Sequence, residues 1–123
     1  MRLAVLVVGT ALATLAQWPQ FRGNPSLTGV SAEKLPAKPR VIWTFDATEA
    51  IESSAAISGD SVYVGVGNGD LVALDLASGK LRWQYKTGDM LGESSPAVAN
   101  GIVYVGDLAG TFHAVSAADG KRL

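Results

Sequence analysis

Cysteine is absent from the 123 residues. That excludes disulfides, thiolate metal sites, a cysteine nucleophile and lipidation of an N-terminal cysteine. An excess of charge of either sign is missing too. Ten Lys and Arg stand against eleven Asp and Glu, so no basic field favours nucleic acid or an anionic membrane. Charged residues make up only 17% of the chain against 48% hydrophobic ones, a balance that favours folding over disorder. Helical periodicity of useful length is lacking beyond the N-terminus.

The N-terminus reads as an export signal spanning residues 1–16. Arg2 supplies a short positive region, and Leu3 to Leu15 is apolar or small without charge. Small residues allow cleavage after Ala16 or after Ala13. An uncleaved anchor or a buried helix is the competing reading. The run is shorter than the roughly 20 residues of a membrane span, so no stable span is expected after cleavage, and the mature chain is expected in the periplasm or outside the cell.

Residues 17–39 form a leader of different character. Four of the five prolines in the chain reach from Pro19 to Pro39. Proline removes backbone donors and restricts its neighbours, which excludes a regular helix or a central strand. Trp18 and Phe21 are large apolar groups here, expected to pin an extended leader against a folded body.

From Arg40 onward the chain repeats itself. Ser53 to Arg82 recurs as Ser94 to Leu123 at an offset of 41 residues, with about twelve of thirty positions identical. A period of that size belongs to propeller and solenoid repeats. Within each unit, short runs rich in Val, Tyr, Leu and Ala are bounded by Gly, Asn, Asp and Ser. Strands are predicted over 55–58, 61–66, 71–75 and 81–86, and again over 97–99, 102–107 and 111–116. Gly and Asn in the connections supply the positive φ of hairpin turns. Gly79 and Gly120 fit the left-handed position closing the third turn. Each unit is therefore predicted to be a four-stranded antiparallel meander, and the fold class all-β. Two units make two blades of a β-propeller, over residues 51–88 and 91–123, the second with a truncated outer strand. Residues 40–45 repeat the outer-strand phrase of Trp83 to Tyr85 and are predicted to be the outer strand completing the last blade of a ring.

The run from Ala73 through Asp75, Gly79 and Lys80 to Trp83 resembles the tryptophan-docking motif of the pyrroloquinoline-quinone-type propeller repeat. The second copy keeps Ala114, Gly120 and Lys121, with Ser116 in place of the Asp and Asp119 in place of the Ser. The leader from Trp18 to Gly23 is similar to the start of secreted bacterial proteins of this kind. The resemblance implies an N-terminal part of a longer propeller, whose remaining blades are its first partners. The family includes quinone-dependent dehydrogenases, outer-membrane assembly factors of the BamB type and other secreted propellers. Such a repeat can serve unrelated functions.

The residues themselves give little chemistry. Asp75 can accept from backbone N–H groups of its own turn, and Trp83 can lie against a neighbouring blade with one acceptor for its indole N–H. His113, the single histidine, occupies the repeat position of Val72 and is read as structural, without a catalytic partner. Ser94, Ser95, His113 and Asp107 contain the residue types of a hydrolase triad. The serine pair, however, recurs at Ser53 and Ser54 without a histidine, and no nucleophile elbow surrounds it. Gly65, Gly67 and Gly69 open no helix, which rejects a phosphate loop. Glu49, Glu52, Asp89 and Glu93 precede the first strand of each unit. They are read as solvated loop residues that could line a channel mouth, without the alternating oxygens of a calcium loop.

The expectation is therefore a binding or scaffold module of an exported propeller, with no catalytic, cofactor or metal residues in this chain and a protein or peptide partner. The alternatives are the N-terminal part of a quinone-dependent alcohol or sugar dehydrogenase, using the quinone and calcium, and a polysaccharide-binding propeller.

Overall fold

The computed structural model describes residues 17–123, and the expected export signal lies outside them. Eight strands form in chain order: β1 (Gln17–Trp18), β2 (Ala56–Ser58), β3 (Ser61–Val66), β4 (Asp70–Asp75), β5 (Leu81–Lys86), β6 (Ala97–Ala99), β7 (Ile102–Gly106) and β8 (Phe112–Ser116). No helix forms among the described residues. The predicted strands recur with ends shifted by one residue: β2 begins at Ala56, β4 begins at Asp70, β7 stops at Gly106 and β8 begins at Phe112.

All pairings are antiparallel, in a five-stranded sheet β1-β2-β3-β4-β5 and a three-stranded sheet β6-β7-β8. The repeat is visible in the register: Ala56 faces Tyr63 as Ala97 faces Tyr104, and Tyr63 faces Ala73 as Tyr104 faces Ala114. The fold is that of propeller blades, as the sequence predicts. Turn chemistry sets the meander. Asn100 and Gly101 both have positive φ, at 51° and 75°, the conformation of a type I′ hairpin.

Successive strand residues point to opposite faces, and in the first sheet both faces are covered. Tyr63, Leu71, Ala73 and Trp83 meet Leu91, Val103, Val105 and Val115 of the second unit in one core. Val62, Val64, Val66, Val72 and Leu74 form a second core on the opposite face, covered by Trp43, Phe45 and Ala47. Two buried faces explain why β3 and β4 are almost continuously apolar.

Residues 40–45, predicted to be an outer strand, form no strand here. A strand needs a hydrogen-bonded ladder, and this segment is held by side chains instead. Its burial still alternates with period two: Trp43, Phe45 and Ala47 face the first sheet while Ile42, Thr44 and Asp46 are exposed.

The leader is tied down mainly by backbone. β1 pairs with β2 through Gln17–Ser58 and Trp18–Ile57, and the Pro19 carbonyl accepts from Val98 N at 2.7 Å. One short stretch thereby joins the first strand of both units. Trp18 is half-buried, but Phe21 remains 52% exposed, so the expected anchoring falls to Trp18 and the main chain.

Candidate functional site

The repeated motif forms the junctions between units. The Trp83 indole N–H donates to the Ala117 carbonyl at 2.9 Å, and Trp43 makes the same bond to Leu76 at 2.9 Å. Ala73 is fully buried opposite Trp83. Gly79 and Gly120 have φ of 71° and 73°, and each lies under a tryptophan ring. Lys80 and Lys121 supply the carbonyls that accept from Asp75 N and Ser116 N, both at 2.8 Å, closing the turns. Ala114 pairs with Tyr104, and its carbonyl accepts from Leu123 N at 2.9 Å.

Asp75 accepts from both the Ser78 backbone N–H at 2.8 Å and the Ser78 hydroxyl at 2.7 Å. The second unit exchanges the two residue types, with Ser116 at the place of Asp75 and Asp119 at the place of Ser78, and Ser116 is among the groups that lower the Asp119 carboxyl. The departure from the motif is thus a reciprocal swap. In β5 the register slips between Ala73 and Leu74, so Arg82 has no cross-strand partner. Its guanidinium reaches Asp75 at 2.6 Å and Asp60 at 2.8 Å. Arg82 holds the Asp75 and Asp60 carboxyls below the usual carboxylate range. Lys121, then Ser116, hold Asp119 at about 2.

The serines bond to backbone well away in the chain. Ser53 Oγ donates to Gly65 O at 2.9 Å and accepts from Gly65 N at 3.1 Å. Ser94 Oγ accepts from Gly106 N at 3.2 Å, and Ser95 Oγ accepts from Ser54 N in the other unit at 2.9 Å.

His113 differs from its sequence reading in one respect: it has partners. The imidazole is 6% exposed. Its Nε2 lies 2.8 Å from Asp107 Oδ2, and its Nδ1 lies 3.1 Å from the Tyr85 hydroxyl. His113, followed by the Thr111 backbone N–H, lowers the Asp107 carboxyl below its ordinary range. Both ring nitrogens are engaged, and Ser94 Oγ is bonded elsewhere, so the triad geometry is not formed. The available signal was the repeat itself. Tyr85, Asp107 and His113 stand where the preceding unit boundary has Phe45, Val66 and Val72, an apolar-to-polar change at three equivalent positions.

Two clefts open on the loops. One of about 490 Å³ is lined by Phe21, Glu52, Ser54, Glu93 and Ser95. The other, of about 420 Å³, includes Glu49, Glu52, Asn68, Met90 and Leu108. Three of the four carboxylates expected near a channel mouth are therefore cleft residues; Asp89 is exposed beside them in sequence. Among the described residues no group of three or more His, Asp and Glu is placed to hold a metal ion.

Two sheets of antiparallel meander, joined through Trp83, with the same tryptophan contact repeated by Trp43 on the first sheet, define the class as a PQQ-like β-propeller repeat protein. A family model described as outer membrane protein assembly factor BamB matches residues 32–123, and the chain belongs to that family. Among solved structures, BamB from Moraxella catarrhalis aligns with a TM-score of 0.58 at 24% identity, over 66% of this chain. The chain spans 26% of the length of that protein. The quinohemoprotein alcohol dehydrogenase from Comamonas testosteroni aligns with a TM-score of 0.72 at 22% identity, over 87% of this chain and 18% of that one. At these identities the likeness is one of fold. None of the curated proteins compared with the chain matches it.

Proposed function

We propose that this chain is a non-catalytic binding and scaffold part of an exported propeller, with a protein or peptide as its partner. The observation carrying the reading is how the polar side chains are used. Asp75, Ser78, Arg82, Ser53, Ser94, Ser95, Asp107 and His113 all bond to turns, to backbone or across unit junctions. Of these only Ser95 lines one of the two clefts, and its hydroxyl is bonded to the Ser54 N–H and the Glu93 carbonyl rather than to an imidazole base of the kind a triad needs. Membership in a family described by an assembly factor supports a protein partner, and supports export to the cell envelope. No helix of the described residues is long and apolar enough to cross a membrane.

The residues lining the larger cleft do not fit pyrroloquinoline quinone. Its carboxylates need cationic partners and its carbonyls a calcium ion held by several oxygens. The larger cleft offers two glutamates, two serines and a phenylalanine, with no lysine or arginine. The test is a titration of the chain with the quinone and calcium, followed by calorimetry. No saturable binding is expected down to a Kd of about 1 μM, some −8 kcal/mol. Stoichiometric binding lost in Glu52→Gln or Glu93→Gln would overturn the reading.

A further inference from the structure

The Tyr85–His113–Asp107 chain crosses the junction between the two units. Tyr85 belongs to β5 of the first sheet, His113 to β8 of the second and Asp107 to the turn before β8. Side chains of Asp107 and His113 are 3% and 6% exposed. An ionised Asp107 requires a proton on Nε2, and in the neutral imidazole Nδ1 is then the acceptor for the Tyr85 hydroxyl. At the equivalent junction one unit earlier, Phe45 packs on the cluster containing Val66 and Val72. The tryptophan contacts at the two junctions are the same, to Leu76 and to Ala117. The polar trio is present at the second junction and has apolar counterparts at the first.

We propose that this trio is a key for blade order. It accepts the Trp83–Tyr85 strand on the second unit and rejects strands carrying the Trp43–Phe45 phrase. Phenylalanine on the second unit would leave His113 Nδ1 buried without a donor. Tyrosine on the first unit would set a hydroxyl beside Val66 and Val72, neither of which offers it a partner. The first exchange leaves an unpaired buried polar group, the costly half of hydrogen-bond energetics, and the second replaces an apolar contact by a hydroxyl against valines. Specificity of this kind comes from penalising the wrong partner. It does not require the trio to stabilise the fold, because a buried polar network and an apolar replacement of like shape are often close in stability.

The full chain is unfolded in denaturant as the parent and as three variants. Tyr85→Phe and Phe45→Tyr should each lower the folding constant about tenfold. Tyr85→Phe/Asp107→Val/His113→Val, which copies the preceding junction, should return to within about threefold of the parent or exceed it. A triple variant weaker than Tyr85→Phe would make the trio a plain stabilising network, and a neutral Phe45→Tyr would remove the rejection; either overturns the key. Nitrogen chemical shifts of the imidazole in the parent supply a reading that needs no variant. They should show the proton on Nε2 and an accepting Nδ1, and an imidazole protonated on Nδ1 alone overturns the proposal.

Discussion

Trp83 lies flat over Gly120: a Cβ at position 120 would stand 2.8 Å from two carbons of the indole ring. Trp43 and Gly79 repeat the relationship at 2.6 Å. Glycine is required there twice over, by the left-handed backbone and by the ring above it. Gly120→Ala should cost about 1–2 kcal/mol for the backbone and about 1–3 kcal/mol for the displaced ring. Gly59 also has positive φ but has nothing within 4 Å of a built Cβ. Gly59→Ala should therefore show the backbone cost alone. Denaturant midpoints of the two variants make the comparison, and equal losses would show that the ring contact contributes nothing.

Ser53 separates a structural serine from a nucleophile. Its hydroxyl bonds to both backbone groups of Gly65. Ser53→Ala should lower stability by about 1–3 kcal/mol. A variant as stable as the parent in chemical denaturation would argue that the hydroxyl is there for another purpose.

Acid should weaken the junction turns. Asp75 and Asp60, held down by Arg82, and Asp119, held at about 2 by Lys121, are all depressed in the folded chain. A depressed carboxyl contributes stability above its unfolded value of about 3.9, and that contribution is lost as pH falls through the folded value. The Tm should hold between pH 7 and about 5 and fall below about 4. The share of Asp119 should disappear between about 4 and about 2. Solvent exposure keeps each contribution small. Asp75→Asn should flatten the acid limb of the Tm profile; an unchanged limb would show that the Arg82 pairing carries no linkage.

Export is testable at the first residue. The chain produced in a Gram-negative host should be recovered from the periplasm with Gln17 at its N-terminus, or Thr14 if cleavage follows Ala13. Cell fractionation and N-terminal sequencing decide. Cytoplasmic protein retaining Met1 would sink the export reading.

The strands, their order and their turns were legible in the sequence because they are set locally. Gly79, Asn100, Gly101 and Gly120 prescribe turn geometry within a few residues of themselves, and a repeat of 41 residues doubles every such signal. That the serine pairs are no triad nucleophiles followed from the same recurrence, since Ser53 and Ser54 have no matching histidine. What only the tertiary structure decided are the contacts between segments far apart in the chain. The pairing of Gln17 and Trp18 with β2, and of Pro19 with Val98, depends on where the two units leave main-chain groups open. Residues 40–45 carry strand composition and strand alternation, yet no ladder reaches them. His113 looked like a lone mid-strand residue because its partners are Asp107 across a hairpin and Tyr85 across a unit boundary, 28 residues away. Sequence specifies which side chains need a partner; the packing of one blade on the next determines which partner each one meets.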